Sequence, residues 1–359
     1  MHIYFFILIR FTLILCLSFI QQIAHAEMQP LAYVSNQNGE VSIIDLNTME
    51  IKGQVSIGAK NPRGIGITDD GKTLVTANKG DGNISIVDLA SKTPVRTVNI
   101  GKNPEFVRLL GRMAYITYEP SSQSGPPKST GDQDDDDDED DDDKLPGHIA
   151  IVDLNSGKVL KDIIGKPETE GLEFTSDGKK ILVTNESDNS VTIHDAVNGK
   201  LLKTVSVAKY GERPRGIKVS PDSKTYLVTL ELSDKFLVLN HKFEVIKEVA
   251  TGKTPYGISY DHTGDRIFVA ANNEKALQVF DAKTYSKLKD IPTGKRCWHF
   301  TFTPDNKNLL LACGKSEEII VINTTTLSET KRIKSNGMPW GIVTAPKSFG
   351  SLDRPAFNQ

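Results

Sequence analysis

The chain has 359 residues, of which 38% are apolar and 25% charged, and its formal net charge is -3. These proportions lie in the ordinary globular range and exclude a chain that is disordered throughout, so most of it should bury a core. The length alone suggests two domains, but that rule fails for repeat architectures, in which small units share one continuous core.

Residues 1–26 differ in kind from the rest, with a mostly apolar start, an apolar run at 11–20 and small residues at Ala24-His25-Ala26. This pattern reads as a secretory signal peptide cut before Glu27, which places the mature protein in the periplasm or outside the cell. Only Arg10 supplies positive charge, and it sits late, so an uncleaved anchor is the alternative. Cys16 follows bulky Leu15 and does not suit lipid attachment, and no second stretch is long enough to span a bilayer.

From residue 31 onward one phrase recurs with a period of about 42 residues. Its first strand reads Tyr33-Val34-Ser35-Asn36, Leu74-Val75-Thr76-Ala77-Asn78, Ala114-Tyr115-Ile116-Thr117, Ile181-Leu182-Val183-Thr184-Asn185, Tyr226-Leu227-Val228-Thr229, Ile267-Phe268-Val269-Ala270-Ala271-Asn272 and Leu309-Leu310-Leu311-Ala312. The second strand ends at Asp45, Asp88, Asp153, Asp195, Asn240, Asp281 and Asn323, so two markers count seven units. Each unit holds four short runs rich in Val, Ile, Thr and aromatics, separated by turns such as Ser176-Asp177-Gly178 and Pro304-Asp305-Asn306. Four antiparallel strands make a blade, and stacking blades around an axis buries both apolar faces of each. The expected fold is therefore all-β, a seven-bladed β-propeller of four-stranded antiparallel blades over residues 27–346. Trp340-Gly341-Ile342-Val343 matches the innermost strand of the other units and should complete the first blade, so deleting the last fifteen or so residues should open the ring. Residues 347–359 carry no pattern and read as a loose tail.

These blade phrases resemble the YVTN-type β-propeller family, whose signature is seen here as Ile181-Leu182-Val183-Thr184-Asn185. Within it, the chain is most similar to propellers associated with pyrroloquinoline-quinone-dependent alcohol catabolism. Gly101-Lys102-Asn103-Pro104-Glu105, Glu170-Gly171-Leu172, Arg213-Pro214-Arg215, the stretch from Gly294 through Cys297-Trp298-His299 to Asp305, and Pro339-Trp340-Gly341 carry that likeness. The resemblance implies an exported accessory or sensing protein, with a quinone dehydrogenase or its cytochrome as a conceivable partner.

The third unit departs from the repeat at residues 121–145, where a Pro- and Ser-rich lead precedes eleven acidic residues between Asp132 and Asp143. Such a run cannot bury enough apolar surface to order itself. It is a solvated tether, a loose calcium-binding or basic-partner segment, or a flap over the funnel. With so much negative charge in one insertion, the propeller body must be mildly basic.

Aligning the innermost strands on Pro-x-Gly puts one variable residue at the mouth of each: Arg63, Glu105, Glu170, Arg215, Tyr256, Trp298 and Trp340. The repeat needs only a turn there, so this ring of charges and aromatics is the candidate site for a small organic ligand or a periplasmic protein partner. The competing reading is that the four charged members pair with each other and merely stabilise the ring. Cys297 and Cys313 flank a hairpin turn with the same parity and form either a cross-strand disulfide or two packed thiols. His148, His194, His241, His262 and His299 fall at unrelated repeat positions, so no catalytic residue, metal site or cofactor is expected, and His299 is expected to pack between blades. The expected role is non-catalytic binding by a monomer. A lactonase-like hydrolase using Glu105 and Glu170 as metal ligands is the main alternative, followed by nucleic-acid binding, which the acidic insertion disfavours.

Overall fold

A computed structural model describes residues 29–120 and 145–356; residues 1–28, which include the stretch read as a signal peptide, residues 121–144 of the acidic insertion and residues 357–359 lie outside them. Among the described residues seven four-stranded antiparallel sheets form a ring, and the strand order runs outward from the axis in each. The innermost strands are Pro62–Ile67, Pro104–Leu110, Thr169–Phe174, Pro214–Val219, Pro255–Tyr260 and Cys297–Phe302 in blades 2 to 7, and Pro339–Ala345 in blade 1. That last strand pairs with Leu31–Asn36, Leu31 opposite Ala345, so the two ends of the ring close within one sheet, as the repeat predicts. No described helix is long and apolar enough to cross a membrane.

Adjacent innermost strands approach each other closely near the funnel mouth. A Cβ on Gly171 would lie 2.3 Å from the Arg215 carbonyl oxygen of the next blade, and one on Gly216 the same distance from that of Tyr256. Glycine in the Pro-x-Gly phrase is thus required by packing between blades. At this point every innermost strand also steps out of register with its neighbour. The slip leaves a backbone N–H and the next blade's carbonyl without ladder partners, and both need satisfaction.

In four blades one hydroxyl does this. Thr184 Oγ1 accepts from Gly171 N at 2.8 Å and donates to Arg215 O at 2.8 Å, and Thr229 does the same between Gly216 and Tyr256 at 2.8 and 3.0 Å. Thr117 links Phe106 to Glu170, and Ser35 links Gly341 to Arg63. The Thr of the repeated phrase is therefore a clip between blades. The following Asn, in blades 1, 2 and 4, turns its amide onto the next strand, as when Asn78 donates to Asn83 and Ser85.

The C-terminal segment is not loose. Leu352 is fully buried in the largest core cluster, and Ser348, Gly350, Ser351, Asp353 and Arg354 are buried with it. Past Ala345 the chain lies along the axis beside the innermost strand of blade 7, where Phe349 O accepts from Phe302 N and Ser351 N donates to Phe300 O. It ends among Arg108, Glu173 and Lys218, charged residues at one level of blades 3, 4 and 5. Arg108 donates to Leu352 O and Glu173, Lys218 reaches Asp353 O at 3.1 Å, and Arg354 lies 3.4 Å from Glu173. Burial alone would raise the Glu173 carboxyl, but Arg108, Lys218 and Arg354 bring it down to about 2. The segment was illegible in sequence because its partners belong to five different blades and follow no period.

Two stability measurements check this account. Thr184→Val leaves a buried N–H and a buried carbonyl unpaired and should destabilise by about 1–3 kcal/mol in chemical denaturation. Ending the chain at Ala345 removes the last fourteen residues but keeps the closing strand Pro339–Ala345, so, contrary to the expectation from sequence, the ring should stay shut and fold cooperatively. Its stability should still fall by about 3–5 kcal/mol, because the axial charges lose their partners.

Candidate functional site

Each innermost strand is entered through a residue in the left-handed region: Asn61, Asn103, Glu168, Arg213, Thr254, Arg296 and Met338, with φ between 51° and 60°. In six blades its carbonyl accepts from the N–H of the residue after the strand that pairs with the innermost one, as from Glu186 N to Glu168 O at 2.8 Å, and in blade 3 Lys102 O takes that bond. The ring residue stands two positions beyond this fixed entry in every blade, as Arg63 does after Asn61 and Arg215 after Arg213. The structure brings together all seven residues that the alignment singles out.

Their charges are largely consumed within the ring. Arg63 Nη1 donates to both Glu105 oxygens at 2.6 and 2.7 Å, and Arg215 donates to Glu170 and Glu231 at 2.9 Å each. Arg215 also lies 2.7 Å from Glu186 and stacks 4.2 Å over the Tyr256 ring. The pairing considered from sequence as the competing reading is thus present on the side of blades 2 to 5.

A second ring surrounds the first and was missed in sequence. It comprises Gln37, Lys79, Glu119, Glu186, Glu231, Asn272 and Gly314, one residue past the strand that pairs with the innermost one in each blade. The signal was available: a polar or acidic residue closing a β-branched strand at the same repeat position. Together with Glu168, the two rings bury six glutamates against Arg63, Lys79, Arg213 and Arg215. Acid is in excess, and it collects at Glu119, whose two buried carboxyl oxygens have no hydrogen-bond partner among the described residues. Burial, then Glu170, Glu105 and other neighbours, push Glu119 well above the usual carboxylate range. Burial and Glu105 raise Glu170 to about 7 against the pull of Arg215.

The opposite side, blades 6, 7 and 1, is aromatic. The rings of Tyr256 and Trp340 meet edge to face at 6.5 Å, with His299 between them at 5.3 and 4.4 Å. His299 occupies a position that is glycine in five other blades. Its Nδ1 lies 3.0 Å from Ser351 Oγ of the C-terminal segment, and burial keeps the imidazole neutral. It packs among Phe106, Tyr256, Trp340 and the C-terminal segment, whereas the sequence reading places it between blades. Below the ring a void of about 10 Å³ remains beside His299, Arg215 and Glu170, too small for a ligand. Above it, a cavity of about 180 Å³ opens at the mouth, walled by Tyr256, Trp298 and Trp340 and rimmed by Arg63, Arg215, Arg296 and Lys315 with Glu231. Five of the seven sequence candidates line it; Glu105 and Glu170 do not.

Among the described residues no group of three His, Cys, Asp or Glu side chains is placed to hold a metal ion. Cys297 and Cys313 stand opposite each other and form the cross-strand disulfide, not two packed thiols.

Neither protein-family models nor curated proteins give a match to this sequence. Solved structures do. A protein of unknown function from Desulfotomaculum acetoxidans aligns at 15% identity over 88% of this chain and 98% of its own, with a TM-score of 0.70. A Bacteroides uniformis protein provisionally described as a 6-phosphogluconolactonase aligns at 18% identity over 88% of this chain and 100% of its own, also at 0.70. A chain of Kuenenia stuttgartiensis hydrazine synthase aligns at 17% over 81% and 92%, at 0.68. Such identities establish the shared propeller and leave activity open.

The acid excess has a measurable sign. The folded state favours protonated Glu119 and Glu170, so their contribution is full below the ordinary carboxylate value of 4.5 and is lost as pH rises through the raised values, about 7 for Glu170. Thermal midpoints followed against pH should fall across that window, and Glu119→Gln should flatten the fall.

Proposed function

We propose that this protein is an exported, non-catalytic binding propeller whose mouth takes a small organic anion with a flat apolar body. The observation that carries this reading is the division of the mouth. On one side carboxylates and guanidiniums satisfy each other, and on the other an open cavity combines aromatic walls with cations. A cavity of about 150 Å³ suffices to hold benzene, so 180 Å³ suits a single-ring molecule. Aromatic edges and faces would grip its body. Arg63 and Arg215 are committed to carboxylates, which leaves Arg296, half-buried at the rim, as the guanidinium best placed to take a carboxylate fork.

The context of quinone-dependent alcohol oxidation, and a periplasmic setting, rest on the repeated phrases and the N-terminal pattern. An accessory propeller that senses or carries an acid formed by such oxidation is consistent with both. Hydrolysis of a lactone, the activity attached to some proteins of this fold, is less well supported: Glu105 and Glu170 are already bonded to guanidiniums and do not line the cavity.

Titrating benzoate into the protein while following tryptophan emission should give saturable binding. Arg296→Gln should weaken it about tenfold or more, the loss of one charge-assisted hydrogen bond, with an unchanged thermal midpoint. Turnover of a δ-lactone by the unmodified protein, or benzoate binding indifferent to Arg296, would overturn the reading.

A further inference from the structure

The hydroxyl clip that fixes the mouth in blades 1, 3, 4 and 5 is absent from three blades, where Ala77, Ala270 and Ala312 occupy its position. Blades 2 and 6 retain a glycine in the slipped segment, Gly64 and Gly257, which packs directly against the next strand. Blade 7 has neither device: its slipped segment is Trp298-His299, between the pairs Cys297↔Cys313 and Phe300↔Leu311. On repeat logic this is the least fixed part of the mouth, yet it forms a wall of the cavity. Cys297 is preceded by Arg296 and followed by Trp298, and Lys315 stands two residues beyond Cys313; all three line the cavity. Gly314, the member of the second ring without a side chain, lies under the Trp298 indole, where a Cβ would be 1.8 Å from Cζ3.

We infer that the Cys297–Cys313 disulfide is a positioning bond for the binding cavity, replacing the missing clip and holding Arg296, Trp298 and Lys315 in one wall. This rests on the cavity being the binding site. Both cysteines are buried, at 3% and 0% exposure, so the bond acts as a lasting brace. The rest of the ring closes without it, through the clips and the strand of blade 1. Losing the bond should therefore loosen the wall before it unfolds the protein.

The chain has two tryptophans, Trp298 and Trp340, and both line the cavity, so its emission reports this place directly. The test compares the protein with a Cys297→Ala/Cys313→Ala variant below the thermal transition of each. Acrylamide quenching should rise in the variant, and benzoate affinity should fall about tenfold. Should the variant not fold, the same two readings on the unmodified protein, after reduction by a phosphine and again after reoxidation, should show loss and recovery. Quenching and affinity that stay unchanged while only the thermal midpoint drops would overturn the inference. Should benzoate fail to bind the unmodified protein, the quenching arm still decides the role of the bond, while the ligand reading fails separately.

Discussion

The structure depends on how closely neighbouring innermost strands approach at the funnel mouth. Where Gly171 passes Arg215 there is no room for a Cβ, and the ladder slip that permits this approach exposes a donor and an acceptor that Thr184 then joins. Glycine and threonine of the repeat, distant in sequence, are two halves of one contact. Where the contact is present it runs from one blade to the next, and it fixes the angle between them and the direction in which the residue before the glycine points. The ring of Arg63, Glu105, Glu170, Arg215, Tyr256, Trp298 and Trp340 follows from that geometry.

Having been forced inward, those side chains lose most of their water, and charges so placed must find partners. Arg63 with Glu105, and Arg215 with Glu170, Glu186 and Glu231, do so around blades 2 to 5. The network is weak evidence of net stabilisation, since desolvation offsets much of the attraction, but it closes that side of the mouth to ligands. Blades 6, 7 and 1 contribute aromatics in place of charges, and the open cavity lies there. At the other end of the axis the C-terminal segment fills the channel, with Leu352 in the core and Asp353 and Arg354 among the charges of blades 3 to 5. Access along the axis is therefore from the mouth.

The blades were legible because period and strand markers repeat seven times, with turns such as Ser176-Asp177-Gly178 between strands, so local signals reinforce one another. The closing strand was legible for the same reason. Features made once were not. The path of residues 346–356 depends on Arg108, Glu173 and Lys218, which a linear reading treats as ordinary strand residues, and the ion pairing of the first ring depends on Glu186 and Glu231 from a second ring outside the aligned phrase. Cys297 and Cys313 had the right parity for a bridge, but their register hinges on a slip that the sequence does not display.

A crystal structure of the protein grown with 4-hydroxybenzoate would show whether the aromatic and cationic side of the mouth is the recognition site. The ring should lie against Trp298 and Trp340 with its carboxylate toward Arg296. Ligand density on the outer wall of the blades, or at the end of the axis occupied by Leu352, would contradict it.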